Sequence, residues 1–334
     1  MIINKYITHV LDKESDVPIL NDFEGKISQN VDKFLQKSIK KVSRDSDLRK
    51  AVFKNYNDNL IKNCCESIIY DESTFVENSK EIAAYLFDVM RVNAELESCD
   101  LVICLYTAKD EKYVSILKLD YRKTYNHNIE FENDKLNIRM VQNEIAIPEN
   151  SKIKQATIVG VNGINDEYQL RVLDKDSEKE EIESKWITEF LNIEKIKDDT
   201  YKTKVFKKAS ETWITNALST DIKQAEDARS VLNYILKEKD YIDITKFADK
   251  AIDNEELKES FIEHMADKDI EGSINIDKKW VDRNLKKRKI KTDTGFDING
   301  NLVDFEDPMK YRVTQNKDGS IDITIKNIKF YEEK

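Results

Sequence analysis

The chain has 334 residues, of which 40% are hydrophobic and 36% are charged, with a formal net charge of −10. No run approaches the ~20 consecutive apolar residues that a membrane-spanning helix needs, and the first residues lack the apolar core of a signal peptide. We therefore expect a cytoplasmic protein without a membrane partner. The length is sufficient for two or three domains and a buried core.

Glycine is scarce, with seven residues in the chain, although phosphate-binding loops need glycine so that the backbone can approach the ligand. The sequence contains neither GxxxxGK[ST] nor GxGxxG. The one close pair, Gly160 and Gly163, lies between two strand-like runs, where a hairpin turn explains it. We therefore expect no nucleotide cofactor.

Catalytic and metal-binding motifs are not evident. The histidines lie far apart, and none belongs to an HExxH motif: His9, His127 and His264. The cysteines lack the spacing of zinc ligands: Cys64, Cys65, Cys99 and Cys104. Their pattern favours structural thiols, with redox sensing as the alternative. Acidic residues are so abundant that no pair stands out as a general acid and base, so we predict neither catalysis nor a metal.

The first part of the chain begins with an extended segment over residues 1–20 and continues with helical patterns. Apolar residues at helical spacing predict a helix over 27–42, and the pattern over 48–60 continues the helical character. A further helix is predicted from Ser73, the expected N-cap, to Met90.

The hydrophobic period then changes from helical to alternating. Runs over 99–107 and 112–121 are rich in β-branched and aromatic residues and predict a hairpin. Runs over 155–161 and 167–174 predict a second one. Residues 1–175 are therefore expected to form an α+β domain in which helices pack on an antiparallel sheet.

Residues 176–271 are predicted to form an acidic helical domain, with 16 basic against 25 acidic residues. Two of its helices, over 244–251 and 253–269, have the order of a helix-turn-helix. The second would present Glu255, Glu259 and other carboxylates where a recognition helix meets phosphates. We therefore do not expect this pair to read DNA.

Residues 272–334 reverse the charge balance, with 14 basic against 11 acidic residues. Among them, KKWVDRNLKKRKIK suits contact with phosphates, because it holds eight basic residues and one acidic residue. On a helix, Trp280, Val281 and Leu285 would face inward, and the last basic residues would continue into a strand. The predicted nucleic-acid-binding residues are Lys278, Lys279, Arg283, Lys286, Lys287, Arg288, Lys289 and Lys291.

A solvated helix face, or pairing with the acidic domain before it, is the alternative explanation of this basic run. A weaker second candidate for nucleic-acid contact is DYRKTYNHN, in which Arg122, Lys123 and His127 lie among Tyr121 and Tyr125. There the pattern favours the end of a strand.

Two dipeptides near the C-terminus are turn signals, because both turn positions of a two-residue hairpin accept a positive φ. Asn299-Gly300 and Asp318-Gly319 each lie between strand-like runs. Residues 272–334 are therefore expected to form a basic helix plus β-hairpins. The predicted fold class is α+β: an N-terminal antiparallel sheet with packed helices, a helical middle region and a C-terminal basic helix with a small β-hairpin sheet.

Four segments follow one another along the chain: ITHVLDKESDVPILND, DLVICLYTAKDEKYVSILKLDYRKTY, EYQLRVLDK and IKTDTGFDINGNLVDFEDPMKYRVTQNKDGSIDITIKNIKF. In this order they resemble the bacterial nucleoid-associated protein family of the NdpA type, over roughly residues 2–330. The resemblance implies association with the bacterial nucleoid, DNA binding with limited sequence preference and, in some members, topoisomerase partners. The resemblance implies no particular catalytic or DNA-contacting residues. The prediction that the basic residues named above bind nucleic acid therefore depends on their charge alone.

The leading hypothesis is a cytoplasmic, nucleoid-associated protein that binds double-stranded DNA without catalysis, through electrostatic and weakly sequence-specific contacts with phosphates. The alternative is a protein-interaction module that a partner, such as a topoisomerase or another nucleoid protein, recruits to the nucleoid. A metal-dependent nuclease ranks third. Homodimerisation is left open.

Overall fold

The computed structural model describes residues 1–121, 124–132, 135–143, 152–160, 167–180 and 182–332. The chain divides into two units, Met1–Ile196 and Lys197–Lys334. Both mix helices and strands, which confirms the predicted α+β class. The two units group the chain differently from the three predicted segments. Residues 182–196 belong to the first unit, and Val281, Leu285 and Leu302 share one core with the helices that precede them in the second.

The first unit is built on a seven-stranded antiparallel sheet and an additional two-stranded hairpin. Its strands are β1 (Ile2–Leu11), β2 (Arg49–Phe53), β3 (Cys99–Ala108), β4 (Glu111–Asp120), β5 (Thr124–Glu132), β6 (Lys135–Asn143), β7 (Gln155–Gly160), β8 (Leu170–Asp174) and β9 (Ile193–Lys195). The order in the sheet is β1-β3-β4-β7-β8-β2-β9, while β5 pairs with β6. Both hairpins predicted over 99–174, β3–β4 and β7–β8, are confirmed.

The turn between β3 and β4 shows why the sequence could predict this hairpin. Lys109 and Asp110 have φ values of 54° and 64°, as the two central residues of a type I′ turn require. The turn that precedes β8 was predicted at Gly163, which lies outside the described residues.

Helices cover both faces of the sheet. They are α1 (Gln29–Ser43), α2 (Leu60–Tyr70), α3 (Phe75–Val92) and the short α4 (Lys175–Glu180). Alternate residues of β3 enter different cores: Leu101 and Ile103 share a hydrophobic cluster with α2 and α3, whereas Val102 and Cys104 share one with α1. Burial on both faces explains why the sequence of β3 is almost continuously apolar.

Two predictions about the first unit are wrong. The segment over 48–60 is not a helix, because Arg49–Phe53 forms β2, in which buried and partly buried residues alternate. Ser73 is not the N-cap of α3; it lies in a 3₁₀ turn, and its N–H donates to the Asp71 carboxylate. Thr74 occupies the N-cap position of α3 without a side-chain hydrogen bond.

Residues 176–271, predicted to be almost entirely helical, also contain short strands. Ile193–Lys195 forms β9 at the edge of the large sheet. Just before it, Trp186 and Phe190 lie in a π-helical turn, with ring centroids 4.6 Å apart, and are buried in the core of the first unit.

The second unit is mainly helical. Its helices are α5 (Asp199–Ala217), α6 (Ile222–Glu238), α7 (Ile244–Ala251), α8 (Glu255–Ala266), α9 (Lys278–Asn284) and α10 (Leu302–Phe305). The ring of Phe247 lies at its centre, 5.3 Å from the centroid of Phe206 and 5.1 Å from that of Phe261. Within the described residues, no helix of either unit combines the length and apolar character needed to cross a bilayer.

Three two-stranded sheets complete the second unit. Their strands are β10 (Tyr241–Asp243), β11 (Ser273–Asn275), β12 (Lys287–Lys291), β13 (Asp297–Asn301), β14 (Tyr311–Gln315) and β15 (Ile321–Ile325). They pair antiparallel as β10–β11, β12–β13 and β14–β15. The turn predicted at Asp318-Gly319 is confirmed between β14 and β15, where Gly319 has a φ of 85°.

The turn predicted at Asn299-Gly300 is wrong, because both residues lie inside β13 and pair with β12. The chain reverses earlier, where the Thr292 N–H donates to the Phe296 carbonyl and Gly295 has a φ of 90°. The missing side chain of Gly300 instead leaves room for the ring of Phe305, because a Cβ there would lie 3.0 Å from Cε2 of Phe305.

A buried histidine connects β1 to α3. The Asn21 N–H donates to Nδ1 of His9 at 3.1 Å, and Nε2 lies 3.2 Å from Oγ of Ser79, which itself donates to the Val76 carbonyl. Because Nδ1 accepts a hydrogen bond, the ring fits this site as the neutral tautomer protonated at Nε2. Burial, aided by the positive charge of Lys80, lowers the pKa of His9 from 6.5 to about 4.

We expect His9 to make the first unit less stable in mild acid. In the unfolded chain the His9 ring takes up a proton near pH 6.5, whereas in the folded chain it does so near pH 4. The free energy of unfolding that the neutral ring contributes is therefore complete above pH 6.5 and decreases as the pH falls towards 4. Between pH 7 and pH 5 the loss is about 2 kcal/mol.

Urea unfolding of the wild type and of His9→Asn at both pH values measures this loss. The asparagine variant lacks the titrating ring, so its free energy of unfolding should decrease by about 2 kcal/mol less over the same interval. An equal decrease in the two proteins would contradict the assignment.

Candidate nucleic-acid interface

The basic segment 278–291 is divided between α9 and β12. The Asp277 carboxylate caps α9 by accepting a hydrogen bond from the Trp280 N–H at 3.0 Å. Val281 and Leu285 are buried in the core of the second unit, and Trp280 packs against it. The predicted inward positions and the continuation of the basic run into a strand are therefore confirmed.

Most of the predicted binding residues project into solvent. Six of the eight are exposed: Lys279, Arg283, Lys286, Lys287, Lys289 and Lys291. Three of them alternate along β12 and so share one face of the β12–β13 hairpin. Lys289 also lies 3.1 Å from a carboxylate oxygen of Asp297, with both side chains 53% exposed. A pair this exposed contributes little to stability and leaves the lysine accessible.

Arg288 lies on the opposite face of β12. Its guanidinium donates two hydrogen bonds to the carboxylate of Glu226 on α6, at 2.7 and 2.8 Å. It also lies over the rings of Phe305 and Tyr311, 5.4 and 5.7 Å from their centroids. Burial alone would raise the pKa of Glu226, but the hydrogen bonds and charge of Arg288, with Arg229, hold that pKa below its ordinary value.

Lys278 is also engaged inside the second unit. Its Nζ donates to the backbone carbonyls of Leu236 and Lys237, at 3.2 and 2.9 Å, in the last turn of α6. An ammonium group there satisfies carbonyls that have no partner within the helix. The structure thus separates Lys278 and Arg288 from the six exposed residues, whose role in binding stays a prediction.

The other regions considered from the sequence are placed as follows. In the second candidate region, β4 ends at Asp120, Tyr121 donates to the Asp100 carboxylate, and His127 is exposed on β5. Arg122 and Lys123 lie outside the described residues. Four exposed residues of α8 are acidic, and so is the exposed residue just beyond its end: Glu255, Glu256, Glu259, Glu263 and Asp267. Such a surface repels phosphates.

A second basic surface, which was not predicted, lies on α1. One side of α1 is buried against the sheet through Leu35, Ile39 and Val42. The exposed positions include Lys33, Lys37, Lys40 and Lys41, followed by Arg44 at the C-cap. The signal was present in the sequence, because lysines four and seven residues apart share one helix face.

The structure offers little reactive chemistry in the regions that it describes. No group of three or more His, Cys, Asp or Glu side chains there is arranged to hold a metal ion. The four cysteines are buried and unbridged. Burial raises the pKa of Cys64, Cys99 and Cys104 to about 12, so their thiolates are strongly disfavoured at neutral pH.

We expect Arg288→Ala to destabilise the second unit by about 2 kcal/mol, because it leaves the partly buried Glu226 carboxylate without its bidentate partner. The control is Lys289→Ala, on the exposed face of the same strand, which should cost less than about 0.5 kcal/mol. Urea unfolding followed by circular dichroism measures both. Equal effects of the two substitutions would show that the Arg288 pair adds no stability.

The comparisons with known proteins agree with the resemblance seen in the sequence. A family model described as nucleoid-associated protein YejK matches residues 7–333, nearly the whole chain. A search of curated proteins finds no match. The chain therefore belongs to this family of nucleoid-associated proteins.

Proposed function

We propose that this nucleoid-associated protein binds duplex DNA directly and without catalysis, through the exposed basic residues of α9 and β12. One observation carries the proposal: Lys287, Lys289 and Lys291 share the exposed face of β12, while Arg288 and Ile290 face the other way. A strand supported from behind can hold three lysines in a row, so that binding orders their side chains without a rearrangement of the backbone.

The dimensions of β12 suit a nucleic-acid backbone. Alternate residues of an extended strand lie roughly 6.7 Å apart, so the three lysines form a row of positive charges about 13 Å long. Their cross-strand neighbours on the same face are Asn301, Asn299 and Asp297. The two asparagines add neutral hydrogen-bond donors, and the Asp297 carboxylate offsets part of the positive charge. A two-stranded ribbon is also narrow enough to enter the major groove. Contacts of this kind position a protein on DNA with weak sequence preference.

The charge of the chain predicts how binding depends on salt. The net charge of −10 repels DNA at long range, so attraction must come from short-range phosphate contacts. If each of the six exposed basic residues neutralises one phosphate, log K should fall against log salt concentration with a slope of about −5.

The decisive variant reverses the three lysines of β12: Lys287→Glu, Lys289→Glu and Lys291→Glu. We expect affinity for a fluorescent duplex, measured by anisotropy, to fall by on the order of 100-fold, with a shallower salt dependence. Arg288 is left unchanged, because reversing it would place a carboxylate against Glu226 and test folding instead.

Two further triple variants carry the same change in charge. The control reverses Lys239, Lys246 and Lys250, which are exposed elsewhere in the second unit, and should bind like the wild type. The other reverses Lys33, Lys37 and Lys40 on α1. If only the α1 variant loses affinity, the assignment to β12 is wrong. Wild-type affinity in all three, or DNA cleavage with Mg²⁺ or Mn²⁺ by the wild type, would overturn the proposed function.

The alternative is recruitment to the nucleoid by a protein partner such as a topoisomerase. The acidic surface of α8 and the net negative charge favour it, because both oppose direct DNA contact. Affinity capture from a nuclease-treated bacterial lysate distinguishes the two: a retained nucleoid protein supports recruitment, and loss of all nucleoid proteins supports direct binding.

A further inference from the structure

The hairpin β12–β13 ends in an exposed aromatic residue. Its turn, residues 292–296, connects Lys291 to Asp297, and Phe296 within it is 69% exposed. The ring belongs to none of the three hydrophobic cores of the described residues. Exposed aromatic side chains are common on protein surfaces, but this one lies at the end of the row of lysines on β12. It therefore adds an apolar group to a surface that attracts phosphates.

The backbone of this turn is held by hydrogen bonds. The Thr292 N–H donates to the Phe296 carbonyl at 3.0 Å, and the Phe296 N–H donates to Oγ1 of Thr292 at 2.9 Å. The Gly295 N–H donates to the Thr292 carbonyl at 3.2 Å, and glycine adopts the φ of 90° found there without strain. Phe296 is thus carried by a defined backbone, and a ligand that contacts the ring has mainly the side chain to order.

The base of the hairpin is attached to the second unit, whereas its tip projects into solvent. Arg288 is paired with Glu226, and the Leu302 N–H donates to the Lys286 carbonyl at 2.8 Å. At the other end, every residue from 291 to 297 except Thr292 is exposed. The turn lies about 13 Å along the strand from Arg288. A large ligand can therefore reach the ring from the open end of the hairpin.

Phe296 and the lysines of β12 lie on opposite faces of the hairpin. Phe296 pairs with Thr292, one position beyond Lys291. Because faces alternate along a strand, this pair lies on the face of Arg288 and Ile290. A straight duplex that lies along the lysines does not reach the ring. A duplex that bends around the tip can contact both.

The charges near the ring indicate which part of a duplex it meets. Asp293 lies within the turn, and the carboxylate of Asp297, which follows Phe296, lies 3.1 Å from Nζ of Lys289. Carboxylates disfavour contact between the tip and phosphates. Bases carry no net charge, and their stacking on an aromatic ring depends little on which base is present. The tip therefore suits bases, and the face with the lysines suits the backbone.

We propose that Phe296 inserts between two adjacent base pairs and kinks the DNA that the protein binds. Apolar side chains that enter a base step in this way partly unstack it and bend the duplex by roughly 20–90°. The bend brings the DNA around the tip, so that phosphates stay on the lysines while the ring leaves water. This inference rests on the proposed function, because the lysines of β12 must hold the duplex. It adds a residue that contacts bases and a change in the shape of the DNA.

Energy transfer between dyes at the two ends of a short duplex tests the proposal. At saturating protein, we expect the wild type to bring the ends closer and Phe296→Ala to bind without doing so. Phe296→Leu keeps an apolar wedge and should retain most of the bend. The control, Phe330→Ala, removes a ring that is 80% exposed elsewhere in the second unit and should bend DNA like the wild type.

The outcomes separate the kink from the proposed function. A wild type that changes the anisotropy of no duplex overturns both. A wild type that binds the duplex and leaves it straight overturns the kink alone. The same holds if Phe296→Ala bends DNA as much as the wild type does.

A duplex that is already kinked provides a second test. Two unpaired bases in one strand open a base step in advance, so the ring enters without the unstacking cost that a fully paired duplex imposes. We expect the wild type to bind the bulged duplex about 10-fold more tightly than the paired one, and Phe296→Ala to bind both with nearly equal affinity. The variant with Lys287→Glu, Lys289→Glu and Lys291→Glu should bind both weakly and keep the preference. Equal affinity of the wild type for the two duplexes overturns the proposal.

Discussion

Neighbouring side chains of a β-strand point to opposite faces, and this alternation governs what each surface of the protein carries. In β3 both faces are covered, so Leu101 and Val102 enter separate cores. In β12 one face holds lysines in solvent and the other holds Arg288 against α6. In β5–β6 the described residues of one face are mainly apolar and exposed. The same geometric rule thus yields a structural core, a charged surface and an exposed apolar surface.

The parts of the fold that sequence predicted well are those in which local pattern and tertiary environment agree. The β3–β4 hairpin combines β-branched runs with a turn that needs positive φ, and each signal can be read from a few residues. β2 was missed because apolar residues at a spacing of four, such as Val52 and Tyr56, imitate a helix. Its pairing with β8 and β9, more than a hundred residues later in the chain, overrides that local preference.

The sequence predicted which segment is basic, but not which of its residues are exposed and which make contacts inside the second unit. Charge density identified 278–291, yet sequence cannot show that Arg288 meets Glu226, which lies 62 residues earlier. Nor can it show that Gly300 accommodates the ring of Phe305 instead of forming a turn. The basic face of α1 was a different kind of omission, because helical spacing would have revealed it without any tertiary information.

Both ends of the basic segment are fastened to a single helix. Lys278 bonds to the carbonyls at the end of α6, and Arg288 pairs with Glu226 near its beginning. α6 therefore holds the basic segment at two points, while most of the lysines of the segment project into solvent. The residues that attach the segment are not the exposed ones, so an exposed lysine can be gained or lost at little cost to folding. The number of exposed positive charges on this segment can consequently change one at a time while the fold is kept.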